Sequence, residues 1–319
     1  GGTTGFNSST NDLTVWGNWG TSMKWGRQWS DKWYTNSILA YSNYFSDRNL
    51  LNSTEIIRED SVTTRTQGIV EKNDLKDITL KIDNEVLLNS SNQLEFGVQV
   101  TGNDISYDLS RNDTIKILDR KDQGITYALY AQDRWTPLKN LTVIPGIRVS
   151  YFDVTEEFYF EPRLSASYML TPKIKVKGAW GKYYQFATRI IREDLSQGSR
   201  DFWLLANGEN NPVSSSIHYI AGIGYETDRF LFDVEAYYKD LAGLTEYTLR
   251  FPGPRRGELD ELFYQGTGYA KGIEFLAQKK AGKYTGWISY TLGQVMYDFP
   301  ELSEDPYPAL HDQTHEFKI

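Results

Sequence analysis

The sequence predicts an all-β fold, a transmembrane antiparallel up-and-down β-barrel, and three observations predict it. Apolar residues recur at every second position over long stretches, the period of a strand with one face in an apolar medium and the other in water. The connections between these stretches alternate between short and long, as they do when tight turns lie on one side of a membrane and external loops on the other. Aromatic residues make up 14% of the chain, with 22 Tyr and 9 Trp, and they gather toward both ends of the stretches, where two membrane–water interfaces would hold them.

Thirteen stretches carry the alternation: 13–29, 32–46, 70–90, 92–108, 123–136, 140–153, 157–170, 173–187, 217–227, 229–243, 264–281, 283–299 and 313–319. Ile78, Leu80, Ile82, Val86 and Leu88 oppose Thr79, Lys81, Asp83 and Glu85 in the third. Leu94, Phe96, Val98 and Val100 alternate with Glu95, Gly97, Gln99 and Thr101 in the fourth. In the sixth, seventh and eighth, Ile147, Val149 and Tyr151, then Leu164, Ala166, Tyr168 and Leu170, then Ile174 and Val176 are set against Arg148, Arg163, Lys173, Lys175 and Lys177. Phe230, Phe232, Val234, Ala236 and Tyr238 oppose Asp233, Glu235 and Lys239 in the tenth. Residues 273–292, IEFLAQKKAGKYTGWISYTL, read as a hairpin whose Ile273, Phe275 and Ala277 face lipid while Glu274 and Gln278 face water. Its lysine cluster then stays hydrated at the inner rim.

Short connections fall near Ser30-Asp31, Ser90-Ser91-Asn92, Pro137-Leu138-Lys139, Thr171-Pro172, Thr227-Asp228 and Ala281-Gly282. Long ones cover 47–69, 109–122, 188–216, 244–263 and 300–312, and one expected long position, at Val154-Thr155-Glu156, is short. Backbone groups in hydrocarbon must all be paired, so a spanning sheet has to close. Thirteen strands is an odd count and single-chain bacterial barrels have even ones. Residues 1–319 are therefore expected to be part of one larger barrel domain, with strands missing at one or both ends.

Composition removes several classes. A net charge of −8 opposes a nucleic-acid footprint. The absence of cysteine excludes disulfides, thiolate metal sites and cysteine nucleophiles. No apolar run reaches the length of a membrane-crossing helix, which leaves strands free to cross. The three histidines, His218, His311 and His315, do not make a metal site: on a strand, residues four apart lie on one face but about 13 Å from each other. No nucleophile elbow is present, and Gly222-Ile223-Gly224 and Gly266-Thr267-Gly268 sit within strands, not between a strand and a helix. No cofactor and no catalytic residue is expected, and the chain is not read as an enzyme.

Several stretches resemble the TonB-dependent receptors of the Gram-negative outer membrane, in particular those of Bacteroidota. "YALYAQDRW" (127–135) followed by "PLKNLTVIPGIRVSYF" (137–152) is similar to a barrel hairpin of that family. So are "FEPRLSASYMLTPKIKVKGAWGKYYQ" (160–185) and "GTGYAKGIEFLAQKKAGKYTGWISYTL" (266–292) with "YPALHDQTHEFKI" (307–319). The match runs from about residue 120 to the end, while 1–119 agree only in general pattern. The resemblance implies a barrel of 22 strands around an amino-terminal plug, which with the TonB box and the closing carboxy-terminal strands is not in this sequence. It also implies import of a nutrient such as a glycan, a peptide, a siderophore or a similar chelate. The partners it implies are the TonB–ExbB–ExbD complex acting through the plug, a surface lipoprotein lid of the SusC-like kind, and outer-membrane lipid and lipopolysaccharide.

Ligand contacts are expected in the long loops. Arg189, Arg192, Arg200, Trp203 and Asn207 lie in 188–216, and Tyr247, Arg255 and Arg256 in 244–263. Aromatic faces with amides suit sugars, and arginine clusters suit anionic chelates; packing of loop against loop is the other role open to these residues. A passive porin, an outer-membrane adhesin and a soluble β-rich binding module remain as alternative functions.

Overall fold

All thirteen stretches form strands. In the computed structural model, which describes residues 3–58, 61–112, 115–192, 200–247 and 263–319, they are β1 (Thr3–Ser30), β2 (Trp33–Arg58), β3 (Ser61–Asn89), β4 (Asn92–Arg111), β5 (Ile115–Leu138), β6 (Leu141–Phe152), β7 (Glu157–Thr171), β8 (Ile174–Gln185), β11 (Ser214–Glu226), β12 (Phe230–Tyr247), β13 (Phe263–Lys279), β14 (Gly286–Asp298) and β16 (His315–Lys318). Three further strands, β9 (Ala187–Arg192), β10 (Arg200–Leu205) and the two-residue β15 (Tyr307–Pro308), were not foreseen. Neighbours pair antiparallel in chain order from β1 to β8, then β11 to β15, with β16 beside β14. β9 and β10 pair only with each other and leave the wall.

The register sorts side chains by face. Leu39, Leu80, Val100, Tyr127, Tyr151 and Phe158 form one continuous cross-strand row. Ile82, Val98, Leu129, Val149 and Phe160 form the next row on that face. These are lipid-facing: Leu129 is 64% exposed and Phe160 56% exposed, each paired with valine across the strands. Between them run polar rows such as Asn36, Asp83, Gly97, Tyr130, Arg148 and Glu161. Glu161 is almost fully buried there, held by Arg163 at 2.8 Å and by the Ser150 hydroxyl, which donates to it at 3.2 Å. Charge thus sits on the inner wall and hydrocarbon on the outer, as the alternation predicts.

An aromatic belt marks the side of the short turns. Trp29 donates its indole N–H to Thr35 at 2.8 Å, and Trp33 donates to Asn84 at 3.1 Å. Trp25, Trp29 and Trp33 form a chain of ring contacts with centroids 6.0–6.3 Å apart. Such rings keep an apolar body in lipid and a polar edge in the headgroups.

The inner wall carries one device that the sequence left unread. Lys177 on β8 lies 2.9 Å from Asp233 and 2.8 Å from Glu235 on β12, two strands away. The intervening β11 presents Gly222 at that register. A Cβ there would stand 2.7 Å from the lysine Cε and 3.0 Å from the Val234 carbonyl. Gly222 therefore leaves the gap through which the lysine crosses.

Two expectations need correction. Residues 47–69 and 109–122 were expected to be long loops, yet β2 runs to Arg58, β3 starts at Ser61, β4 runs to Arg111 and β5 starts at Ile115. These extensions stand beyond the lipid band, where no hydrocarbon faces the outer side, so the apolar alternation along them is weak. Strand pairing holds them, together with ion pairs such as Arg48–Asp12 at 2.6 Å and buried side chains such as Leu50 and Leu109. The turn after β13 is also longer than expected, because β14 starts at Gly286 instead of 283.

Leu129→Arg, in the apolar band, is expected to destabilise the full-length protein in lipid vesicles by about 2–4 kcal/mol, the cost of a cation near the bilayer midplane. Gln132→Arg, on the inner wall, should change stability by less than about 0.5 kcal/mol, as surface substitutions do. Urea unfolding of both variants in the same vesicles measures the difference.

Candidate functional site

The segment 188–216, expected to be an external loop, starts from the end of β8 and folds back over the inner wall. β9 and β10 form a hairpin in which Ala187 pairs with Leu205, Arg189 with Trp203 and Arg192 with Arg200. Its base is closed by a hydrogen bond from the Ala206 amide to the Phe186 carbonyl at 2.8 Å. Phe202, Leu204 and Leu205 are 3%, 1% and 2% exposed, and this burial explains the inward fold.

Two apolar clusters receive them. Ile190, Phe202 and Leu204 pack with Tyr107, Leu109 and Phe263. Leu205 and Ala206 pack with Ile105, Phe152 and Tyr159. Tyr107 and Phe202 lie 4.8 Å apart between ring centroids, and Phe152 and Phe186 4.9 Å apart. Ile105, Tyr107, Leu109, Phe152 and Tyr159 all belong to the inner face by register. The wall that is polar lower down is therefore apolar here, and the hairpin roofs it over.

The sequence-predicted residues divide. Trp203 is half-buried, meets Tyr44 edge-on at 6.5 Å and packs against the second cluster. Its indole N–H is buried and without an acceptor among the described residues. Asn207 uses its side-chain oxygen to accept the amides of Glu209 and Asn211, each at 3.0 Å, and so shapes the turn after the hairpin. Asn211, fully buried, in turn donates to the Leu205 carbonyl at 3.0 Å and accepts from Thr245 at 2.9 Å. Arg189 is exposed and lines a cavity. Arg192, Arg200 and Tyr247 lie in strands whose side chains there are outside the description, and Arg255 and Arg256 lie outside the described residues altogether.

That cavity, of about 430 Å³, lies between β9, the end of β12, the end of β14 and the segment after it. Besides Arg189 it is lined by Glu246, Tyr297, Tyr307 and His311. Glu246 reaches it through a bulge: the β12–β13 register shifts between Ala242 and Leu244, and Gly243 adopts φ +66°. A side chain at Gly243 would meet the Val213 carbonyl at 2.9 Å, and the Ser214 hydroxyl donates to the Gly243 carbonyl at 2.7 Å. Burial pushes the Glu246 carboxyl above its ordinary range. Burial first and the Glu246 charge second raise Tyr297 and Tyr307 as well. Sequence reasoning missed Glu246 because a bulge changes which side chains share a face and leaves no mark in a two-residue period. His311 and His315 have different neighbours: His311 packs against Tyr297 with centroids 5.9 Å apart, while His315 Nδ1 lies 2.8 Å from the Tyr290 hydroxyl. No group of metal-binding side chains occurs among the described residues.

With an inner polar wall, an outer apolar band and a continuous antiparallel up-and-down sheet, the architecture is that of an outer-membrane barrel wall, and residues 1–314 match the family described as TonB dependent receptor-like, beta-barrel. The chain belongs to that family. Its members sit in the Gram-negative outer membrane, and this chain is placed there with them. Among solved structures it is similar to the siderophore receptor PirA from Pseudomonas aeruginosa, at 15% identity and a TM-score of 0.52, covering 93% of this chain and 60% of that one. It is also similar to a mutant of the ferric enterobactin receptor PfeA from the same organism, at 10% identity and a TM-score of 0.54, covering 92% and 55%. The outer membrane transporter YddB from Escherichia coli gives 9% identity and a TM-score of 0.54, covering 86% and 47%. The TonB-dependent-type barrel of this chain thus spans 60% or less of the length of those three proteins. No curated protein sequence matches it.

Two outcomes follow for the hairpin and the cavity. Phe202→Ala should cost about 3–5 kcal/mol locally, the usual loss for a buried ring, and should raise amide hydrogen exchange across β9 and β10 while β6–β8 exchange as in the parent. For Glu246, whose carboxyl is raised in the fold, stability is fully present below the ordinary carboxyl range and lost as pH rises through the raised value. The melting temperature of Glu246→Gln minus that of the parent should therefore grow from pH 4 to pH 7.

Proposed function

We propose that this chain is barrel wall from an energy-coupled outer-membrane importer, a TonB-dependent receptor of the Bacteroidota type that carries an organic nutrient or chelate inward. Family membership over residues 1–314 supports the class. The motifs of residues 127–185 and 266–319 support the Bacteroidota and SusC-like assignment. The single observation that carries the reading is the inner wall: continuous charged and amide rows below, an apolar patch above, and a hairpin packed across it from inside.

In this reading Arg189 contacts the solute from the cavity, and Arg192, Arg200, Tyr247, Arg255 and Arg256 are further ligand contacts. Trp203 and Asn207 act one step back, by holding the hairpin that carries Arg189. The polar rows Tyr130, Arg148, Glu161 and Arg163 offer the plug a hydrated surface of paired charges; Arg163 also lies over the Tyr183 ring at 4.7 Å. TonB–ExbB–ExbD would act through that plug, a lipoprotein would cover the outer mouth, and no nucleic acid takes part. A porin or an adhesin would share the wall and lack the dependence on energy.

Growth on candidate nutrients, with the gene intact or deleted, identifies the solute by the phenotype. Uptake of that solute by the intact strain should fall at least tenfold when a protonophore collapses the proton gradient. Uptake that persists undiminished would make the protein a passive pore.

A further inference from the structure

Glu246, at the extracellular end, is largely withdrawn from water, and burial alone raises its carboxyl. No side-chain hydrogen bond or ion pair joins its carboxyl to the described residues, whereas Asp12, an exposed acid of the same end, is held by Arg48. A carboxylate out of water and without a partner is costly unless something pairs it. The fold nevertheless takes a bulge, a left-handed glycine and a hydroxyl hydrogen bond at Ser214 to bring it to the cavity wall.

Its surroundings narrow the occupant. Tyr297, Phe299 and Tyr307 form a run of rings with centroids 6.0 and 6.4 Å apart. Phe299 closes the floor at 1% exposed. The Glu246 charge acts on both phenols, so the carboxylate stands within electrostatic reach of the two tyrosines. A carboxylate beside electron-rich ring faces in a largely apolar recess favours an organic cation, which gains a charge-assisted hydrogen bond and ring attraction together. An anion would meet the Glu246 charge. Arg189 and His311 also line the cavity, and neither enters the causes of the Glu246 shift.

We propose that this cavity is a subsite for a protonated amine, with Glu246 pairing the ammonium and Tyr297 and Tyr307 flanking it. The inference rests on the import reading and deepens it: the nutrient carries an amino group, as a peptide or an amino sugar does, in place of being a purely anionic chelate.

The test uses the full-length receptor in detergent micelles with n-butylammonium as the probe and n-butanol as its uncharged counterpart, measured by calorimetry. Butylammonium should bind at least tenfold more tightly than butanol. Glu246→Gln should remove that difference, and Tyr307→Leu should weaken it several-fold, while Glu209→Gln, on the neighbouring turn and outside the cavity, leaves it unchanged. Retention of the heat-modifiable folded band in each variant guards against misfolding. Equal binding of the two probes, absence of butylammonium binding, or a Glu246→Gln receptor that binds like the parent would each overturn the proposal. Uptake that ignores the protonophore would instead sink the importer reading alone, since amine binding in micelles is independent of energy.

Discussion

Hydrocarbon offers the backbone no hydrogen-bond partner, and everything else in this molecule follows from that. Each amide within the membrane must find a neighbour strand, so the wall is one continuous antiparallel ladder from β1 onward. A ladder fixes which residues share a face. The outer face then has to be apolar and the inner face takes all the charge. Inner charges cannot be scattered freely, because a crowded wall only partly bathed in water favours paired ones. The bridge from Lys177 to Asp233 and Glu235 shows how far the wall goes to pair them, leaving out a whole side chain at Gly222 so that a lysine can cross a strand.

Much of this was legible in residue order because lipid imposes a strong contrast. Where Leu80, Val98 or Phe275 faces hydrocarbon and Lys81, Gln99 or Glu274 faces water, the period is plain. The contrast fades where both faces are wet. There 47–58 and 61–69 looked like loops, although β-branched residues such as Ile56, Ile57, Val62 and Thr64 suit a strand. A subtler sign was available on β4. Its apolar residues sit at even positions through Val100 and at odd positions from Ile105, through Tyr107, to Leu109. That change of phase moves the apolar face from lipid to lumen, and it marks where the membrane ends and the packed hairpin begins.

The candidate site was less legible for a related reason. Arg189 was named from its type and does reach the cavity. Trp203 and Asn207 were named on the same grounds, and their neighbours show them holding the hairpin in shape. Residue type says that a side chain could bind a solute; only packing says whether it is already engaged. Glu246 is the converse case. Nothing about "GLTEY" distinguishes it, and the bulge at Gly243 that turns it toward the cavity is a property of the register.

The inward hairpin also breaks the symmetry of the lumen. It packs mainly on the side formed by β3 to β7 and reaches across to Phe263 at the start of β13. The side formed by β11 to β14 stays lined by polar and small residues such as Gly222, Gly272, Thr291 and Gly293. The space left inside the wall is therefore off-centre, displaced toward the small and polar side chains of β11 to β14.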